Sequence, residues 1–179
     1  MSPFSNYELN FEILEALGAD LIHTPSTVQN SEGLTGDLKV VARDLRVLSE
    51  LRESNVPKLR FTYENLSFET WTNGWGDTWE AVKRVDKANF GLCMDTFHIT
   101  GWSYGDLTAP SGKFGHAADE FDETVGMVRE IDPKIFYVQM VDMERIVSPL
   151  VKGHAFCVEG QRLRISWSRN ARLFMYEED

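Results

Sequence analysis

The chain has 179 residues, of which 42% are hydrophobic and 26% are charged, as in soluble globular proteins with one core. Its 28 acidic residues against 18 basic ones give a net charge of −10, which repels phosphate backbones and argues against a nucleic-acid partner. Apolar runs stay shorter than the roughly 18 residues of a membrane helix, and no secretory signal is visible, so no membrane partner is expected.

The predicted elements begin with a helix, a short strand and a second helix. Apolar residues recur at helical spacing over residues 9–17, and Gly18 stands where a C-terminal helix cap would. Residues 20–25 follow as a strand that a proline ends, and a loop comes next. Thr35 is the predicted N-cap of a helix over residues 38–48, in which Leu38, Val41, Leu45 and Leu48 share one face.

The rest of the chain alternates strands with helices. The predicted strands are residues 59–64, 89–95, 135–141 and 164–168, and the predicted helices are residues 75–82 and 121–128. This alternation is typical of βαβ units and a parallel sheet. A Gly-rich phosphate loop is missing and the strands end in carboxylates, which favours a closed barrel over an open sheet. We predict a single α/β domain over residues 1–179.

The two cysteines bear on the cellular compartment. Cys93 and Cys157 are too few for a disulfide framework. They predict reduced thiols in a cytoplasmic protein.

Three of the predicted strands end in an oxygen-bearing side chain on the same face. Side chains alternate along a strand, so the apolar sets are predicted to pack against helices while the opposite sets face a barrel interior. The apolar sets are Leu59, Phe61 and Tyr63; Phe90, Leu92 and Met94; and Phe136, Val138 and Met140. The opposite sets end in Glu64, Asp95 and Gln139. These hard oxygen donors suit Mg²⁺ or Mn²⁺ and tolerate Co²⁺ or Zn²⁺.

Each of these residues alone has a plainer interpretation, as a polar strand end that binds the following loop. Three such residues in register favour a shared metal. His98 follows Asp95 by three residues and is a candidate base or ligand-orienting group, although a lone histidine is more often structural.

Residues 63–66, 89–98 and 134–142 resemble the sugar phosphate isomerase/epimerase superfamily, which comprises xylose isomerase-like TIM barrels. Residues 20–26, 149–154 and 165–174 further resemble the fungal 3-dehydroshikimate dehydratases of quinate catabolism. The resemblance implies a partial (β/α)8 TIM barrel with about five of the eight parallel strands, lacking the first strands and the last one.

The same resemblance implies roles for individual residues. Glu64, Asp95 and Gln139 would bind the metal, and the fourth ligand, a glutamate on the last strand, has no counterpart here. His98 and Glu64 would act in catalysis. The carboxylate of a small-molecule substrate would be held by a separate set: Ser168, Arg172 and Arg169.

The implied function is divalent-metal-dependent dehydration of 3-dehydroshikimate to protocatechuate. We expect the isolated chain to be inactive, because three ligands without the closing glutamate hold a metal loosely. One alternative is a sugar (phosphate) isomerase or epimerase of the same superfamily. Another is a non-catalytic remnant, whose open strand edges would aggregate, need a partner or pair in a homo-oligomer. Trp71 replaces a basic residue that is common in the family, which bears on substrate specificity.

Overall fold

A computed structural model describes residues 5–29, 32–51, 59–71 and 74–173. Its helices are α1 (Ser5–Leu17), α2 (Leu38–Glu50), α3 (Trp75–Val85), α4 (Thr96–Ser103), α5 (Ala117–Glu130) and α6 (Leu163–Asn170). Its strands are β1 (Leu21–Pro25), β2 (Arg60–Glu64), β3 (Phe90–Asp95), β4 (Ile135–Gln139), β5 (Asp142–Met143) and β6 (Arg172–Leu173). Within these ranges, every helix is too short or too polar to cross a membrane.

Strands β1 to β4 form one parallel sheet in the order β1-β2-β3-β4. Each strand neighbours the next one along the chain, and at least one helix lies in each connection, which is the topology of a barrel segment. The α/β class and the partial barrel are therefore confirmed. The described residues contribute four parallel strands rather than about five.

The apolar faces of β2 and β3 are buried as parity predicts. Their residues pack against α2 and α3 in one core. The fully buried members of this core include Phe61, Val82, Val85, Phe90 and Leu92. Because this face is covered by helices, the opposite face is left for polar groups.

Strand β4 departs from the predicted parity at its first two residues. A register irregularity lies between Leu92 and Cys93, where β3 pairs with β4. As a result Ile135 packs against the helix-side core, although strand parity predicted that it faces the barrel interior. Phe136 instead lies on the interior side, over Gly91 and the Arg60 guanidinium. The bulge resets the alternation, so that later residues of β4 recover the predicted parity. Val138 and Met140 are nonetheless 52% and 86% exposed, so the prediction that they pack against helices is wrong within the described residues.

The N-cap of α2 is Asp37, and the prediction of Thr35 is wrong. The Asp37 carboxylate accepts a hydrogen bond from the backbone N–H of Lys39 at 2.9 Å. The Thr35 hydroxyl instead accepts from the backbone N–H of Asp37 at 3.0 Å. Both residue types compete for the same role, and aspartate stands at the position where the helix begins.

Residues 164–168, predicted as a strand, belong to helix α6. Alternating apolar and polar residues are typical of a strand, but this segment is helical and Ser166, Trp167 and Ser168 are all buried in it. The Ser166 hydroxyl donates to the Gln161 side chain at 3.0 Å and accepts from the backbone N–H of Val158 at 3.2 Å. Because the Ser166 hydroxyl has hydrogen-bond partners, it can be buried, and polar as well as apolar side chains of this segment lie inside the protein.

A short antiparallel pairing anchors the chain that follows α6. Strand β6 pairs with β5, so that Arg172 lies opposite Met143. The indole of Trp167 donates to the carbonyl of Glu144 at 3.2 Å. These contacts hold the end of α6 against the segment that leaves β4. Phe174, the last residue of the 165–174 stretch, lies outside the described residues.

Candidate metal centre

Each strand of the parallel sheet contributes one polar side chain to a cluster at its C-terminal end. The register pairs His23 with Thr62, two residues before Glu64, and pairs Asp95 with Gln139. Glu64 is 4% exposed and Asp95 is 1% exposed, so the two carboxylates are removed from water. The structure therefore brings the three predicted ligands together.

The amide of Gln139 is in contact with both carboxylates. The amide atom that faces them lies 2.9 Å from Asp95 Oδ2 and 3.2 Å from Glu64 Oε1. With nitrogen in this position, Gln139 donates to both carboxylates. With oxygen in this position, three oxygens face each other and repel unless a cation lies between them.

These distances fit a divalent cation. Ligands at about 2.1 Å from an octahedral ion lie roughly 3 Å from one another, the separation seen here. The donors are all oxygens, two of them carboxylates, which suits Mg²⁺ or Mn²⁺. A rotation of the Gln139 amide converts the hydrogen-bonded cluster into a ligand set. The residues present thus fit the cation that the sequence predicted.

Asp95 has a second task as the N-cap of α4, a helix that the sequence analysis did not predict. Its Oδ1 accepts from the backbone N–H groups of Phe97 at 2.7 Å and His98 at 3.3 Å. These bonds fix the carboxylate, and Oδ2 is left facing Gln139. Burial is the largest influence on this group and raises the pKa of Asp95, partly offset by the nearby His98.

His98 lies buried beside the cluster, with Nε2 3.9 Å from Asp95 Oδ2. Its Nδ1 accepts a hydrogen bond from the backbone N–H of Ser67 at 3.1 Å. A backbone N–H can only donate, so the neutral ring carries its proton on Nε2. Burial lowers the pKa of His98 below its ordinary value, although the carboxylates of Asp95 and Glu64 oppose the change.

His23 belongs to the cluster and was assigned no role from the sequence. Its Nε2 lies 3.0 Å from Glu64 Oε2, and its Nδ1 lies 3.3 Å from the Thr62 hydroxyl. Strand parity applied to residues 21–25 would have found it, since His23 has the parity of the interior face once β1 is paired with β2.

Cys93 completes the interior face below Asp95. It is 1% exposed and a free thiol. Burial and the neighbouring Glu64 and Asp95 carboxylates raise the pKa of Cys93 to about 12. The side chain is therefore a protonated thiol at neutral pH in the metal-free protein.

The residues predicted to hold a substrate carboxylate lie at the end of α6. Arg172 donates from Nε to the Ser168 carbonyl at 2.9 Å, and a terminal nitrogen lies 3.4 Å from the Ser168 hydroxyl. Its guanidinium lies over the Phe97 ring, 5.8 Å from the centroid, and its positive charge contributes to lowering the pKa of His98. Ser168 and Arg172 are thus held together beside α4. Arg169 lies exposed in the last turn of α6.

The chain is similar to a known family and to curated proteins. A family model described as xylose isomerase-like TIM barrel matches residues 4–169. The chain is 37% identical over 170 residues to a 3-dehydroshikimate dehydratase of Neurospora crassa, covering 94% of this chain and 47% of that protein. It is 33% identical over 156 residues to a 3-dehydroshikimate dehydratase of Pseudomonas aeruginosa, covering 86% of this chain and 21% of that protein. The chain spans about half the length of the fungal relative.

Solved structures share the fold. A xylose isomerase-like TIM barrel/4-hydroxyphenylpyruvate dioxygenase fusion protein matches with a TM-score of 0.63 and 26% identity, covering 96% of this chain and 22% of that one. The IOLI protein, whose structure holds a zinc atom, matches with a TM-score of 0.57 and 18% identity, covering 80% of this chain and 46% of that one. The second likeness concerns the fold alone.

Proposed function

Because the chain belongs to the xylose isomerase-like TIM barrel family, we propose that it carries the metal-binding part of a divalent-metal-dependent 3-dehydroshikimate dehydratase. The observation that carries the proposal is the convergence of Gln139 on Asp95 and Glu64 at 2.9 and 3.2 Å. The identity to dehydratases from a fungus and a bacterium supports the choice of substrate.

The reaction needs a polarised ketone, a fixed carboxylate and proton transfer. A divalent cation bound by Glu64, Asp95 and Gln139 would supply the polarisation. Arg172 is anchored through Nε on the Ser168 carbonyl and through one terminal nitrogen on the Ser168 hydroxyl, and its remaining N–H groups would bind a carboxylate. Such a clamp holds the ring of the substrate in one orientation, the positional part of the rate gain.

His98 is the proposed proton-transfer group. Its proton is on Nε2 while Nδ1 accepts from Ser67, so in this state the ring donates. Dehydration expels hydroxide, and a neutral Nε2–H can donate a hydrogen bond to the departing oxygen. The role of base that the family resemblance gives to His98 requires an unprotonated Nε2, that is, a neutral ring with its proton on Nδ1 instead. The assignment of Glu64 to catalysis rests on its place among the ligands.

The alternatives differ in their need for Arg172. A sugar isomerase or epimerase would use the same cation on a neutral sugar, for which a guanidinium clamp has no purpose. A non-catalytic remnant would keep the fold but need neither metal nor substrate. A small-molecule carboxylate substrate, a homo-oligomeric state and a cytoplasmic location remain predictions.

The decisive experiment transfers the chain into its fungal relative. The region of the Neurospora crassa protein that aligns with this chain is replaced by residues 5–173, and protocatechuate is measured after addition of 3-dehydroshikimate and Mg²⁺, Mn²⁺, Co²⁺ or Zn²⁺. We expect product with at least one of these ions. A folded chimaera that releases none with any ion would refute the dehydratase.

Variants of the chimaera test the clamp and the isomerase alternative. Arg172→Lys should raise KM at least tenfold, because one amine cannot replace a guanidinium that uses both edges. Arg129→Lys, at an exposed position of α5, is the matched control. Arg169→Lys shows whether the second guanidinium contributes. Conversion of a ketose without loss in Arg172→Lys would favour the isomerase instead.

A further inference from the structure

The two oxygens of Glu64 face different partners. Oε1 lies against the Gln139 amide, whereas Oε2 lies 3.0 Å from Nε2 of His23. A carboxylate can bridge two cations when each of its two oxygens belongs to a different group of ligand atoms. The proposed divalent site uses only the first of these groups.

The second group contains a sulfur atom. Ligand atoms of His23, Glu64 and Cys93 all lie within 4.8 Å of one another. Cys93 precedes Asp95 by two residues on β3, so its side chain is on the same interior face but one step deeper along the strand. The three residues come from three adjacent strands, β1, β2 and β3, whose pairing fixes their separation.

We propose that His23, Glu64 and Cys93 form a second, inner cation position that takes a thiophilic ion such as Zn²⁺, Co²⁺ or Cd²⁺. Its donors are one imidazole nitrogen, one carboxylate oxygen and one thiolate sulfur, a mixture that suits zinc and its analogues. The outer position offers oxygens alone and suits Mg²⁺ or Mn²⁺. The two positions therefore differ in the ions they prefer.

Small movements complete the inner position. Ligands around a tetrahedral zinc ion lie roughly 3.3–3.8 Å apart, because the bonds measure about 2.0 Å to nitrogen or oxygen and about 2.3 Å to sulfur. The His23–Glu64 separation is already near this range, and atoms within 4.8 Å reach it through side-chain rotation. The Cys93 proton is released to the solvent when the ion binds. Water from the open side, where His23 is 29% exposed, supplies the fourth ligand.

This inference is independent of the proposed reaction, since it concerns binding without substrate. Thiolate bound to Co²⁺ or Cd²⁺ produces a ligand-to-metal charge-transfer band in the ultraviolet, which an all-oxygen site does not. The 179-residue chain is titrated with Co²⁺ and then with Cd²⁺ while absorbance is recorded. We expect a saturable band with one ion per chain.

The matched variants exploit the presence of two cysteines in the sequence. Cys157→Ser leaves Cys93 as the only thiol and should keep the full band. Cys93→Ser should lose it, and far-ultraviolet circular dichroism checks that this variant is folded. His23→Gln retains both thiols and should weaken Cd²⁺ binding at least tenfold.

Three outcomes would overturn the inner position. They are a titration of the parent chain without a band, a band lost in Cys157→Ser, and unchanged Cd²⁺ affinity in His23→Gln. Because the Cys157→Ser readout does not depend on altering a buried residue, misfolding of Cys93→Ser leaves the test decisive. A failure of the chimaera to make protocatechuate would not alter any of these readouts, so the two proposals fail separately.

Discussion

The backbone N–H of Ser67 donates to Nδ1 of His98 over 3.1 Å, from the loop after β2 to the first turn of α4. The Ser67 hydroxyl lies at a similar distance, 3.2 Å, from the same nitrogen. One edge of the imidazole is thus committed to the protein, and the other edge faces Asp95. The backbone of Ser67 therefore sets which nitrogen of the neutral His98 ring carries the proton.

The stability of the protein should fall on mild acidification because of His98. Burial lowers the pKa of His98, so the folded chain takes up this proton less readily than the unfolded chain. The contribution of neutral His98 to the free energy of unfolding is fully present above about pH 6.5. It is lost as the pH falls toward the lowered pKa that His98 has in the folded chain. Urea unfolding between about pH 7.5 and about pH 5 should show the loss. His98→Gln should reduce this dependence, whereas the exposed His116→Gln should not; equal slopes would contradict the prediction.

Substitutions of Asp95 should separate its two tasks. Asp95→Asn keeps an oxygen that caps α4, so its free energy of unfolding should stay near that of the parent while Mn²⁺ affinity falls. Asp95→Ala should lose the affinity and a further 0.5–2 kcal/mol or so of stability, as for other caps. Asp37→Ala removes the exposed cap of α2 and is the control. It should lower the free energy of unfolding and leave the Mn²⁺ affinity unchanged. Calorimetric Mn²⁺ titration and urea unfolding measure the two effects.

Gln139→Glu should make the stability of the protein depend on metal. A third carboxylate would then lie about 3 Å from two others, and their repulsion is largest at neutral pH without a cation. We expect the Tm of the metal-free variant to drop, and Mn²⁺ or acid to restore it. Gln29→Glu, at an exposed position, controls for added charge. A Tm that is lowered equally with and without Mn²⁺ would point to a packing defect.

Gly91→Ala should destabilise the junction of β3 and β4. A Cβ at this position would lie 2.5 Å from the Lys134 carbonyl oxygen and 2.8 Å from the Phe136 ring. Overpacking of this kind costs roughly 1–3 kcal/mol. Gly126→Ala, in the middle of α5 with open space around it, should instead stabilise the chain by about 0.5–1 kcal/mol. A neutral effect of Gly91→Ala in urea unfolding would show that the bulge relaxes.

Strand parity was sufficient to predict the polar cluster because β2 and β3 keep a regular alternation. Their apolar residues pack against helices, and that burial fixes the face of Glu64 and Asp95 before any tertiary detail is known. The face of Gln139 was predicted correctly despite the irregular start of β4, since the bulge lies before it. The closeness of the three side chains therefore follows from the sequence pattern and the parallel order alone.

What the sequence did not reveal depends on contacts between distant segments. In α6 the buried Ser166 hydroxyl finds its partners, Val158 and Gln161, in the preceding loop, and no local sequence pattern predicts such partners. The register irregularity between Leu92 and Cys93 depends on how β3 meets β4. His23 was missed for another reason, because parity was not applied to β1.

The four-strand polar cluster can form only when the strands of the sheet are paired in the correct register. His23, Glu64, Asp95 and Gln139 each come from a different strand, so a slip of one residue in any pairing would turn one of them toward the helices. A misregistered chain would therefore fail to capture a cation, while a correctly paired one would gain stability from it. Metal binding should then raise the proportion of chains whose strands have paired correctly.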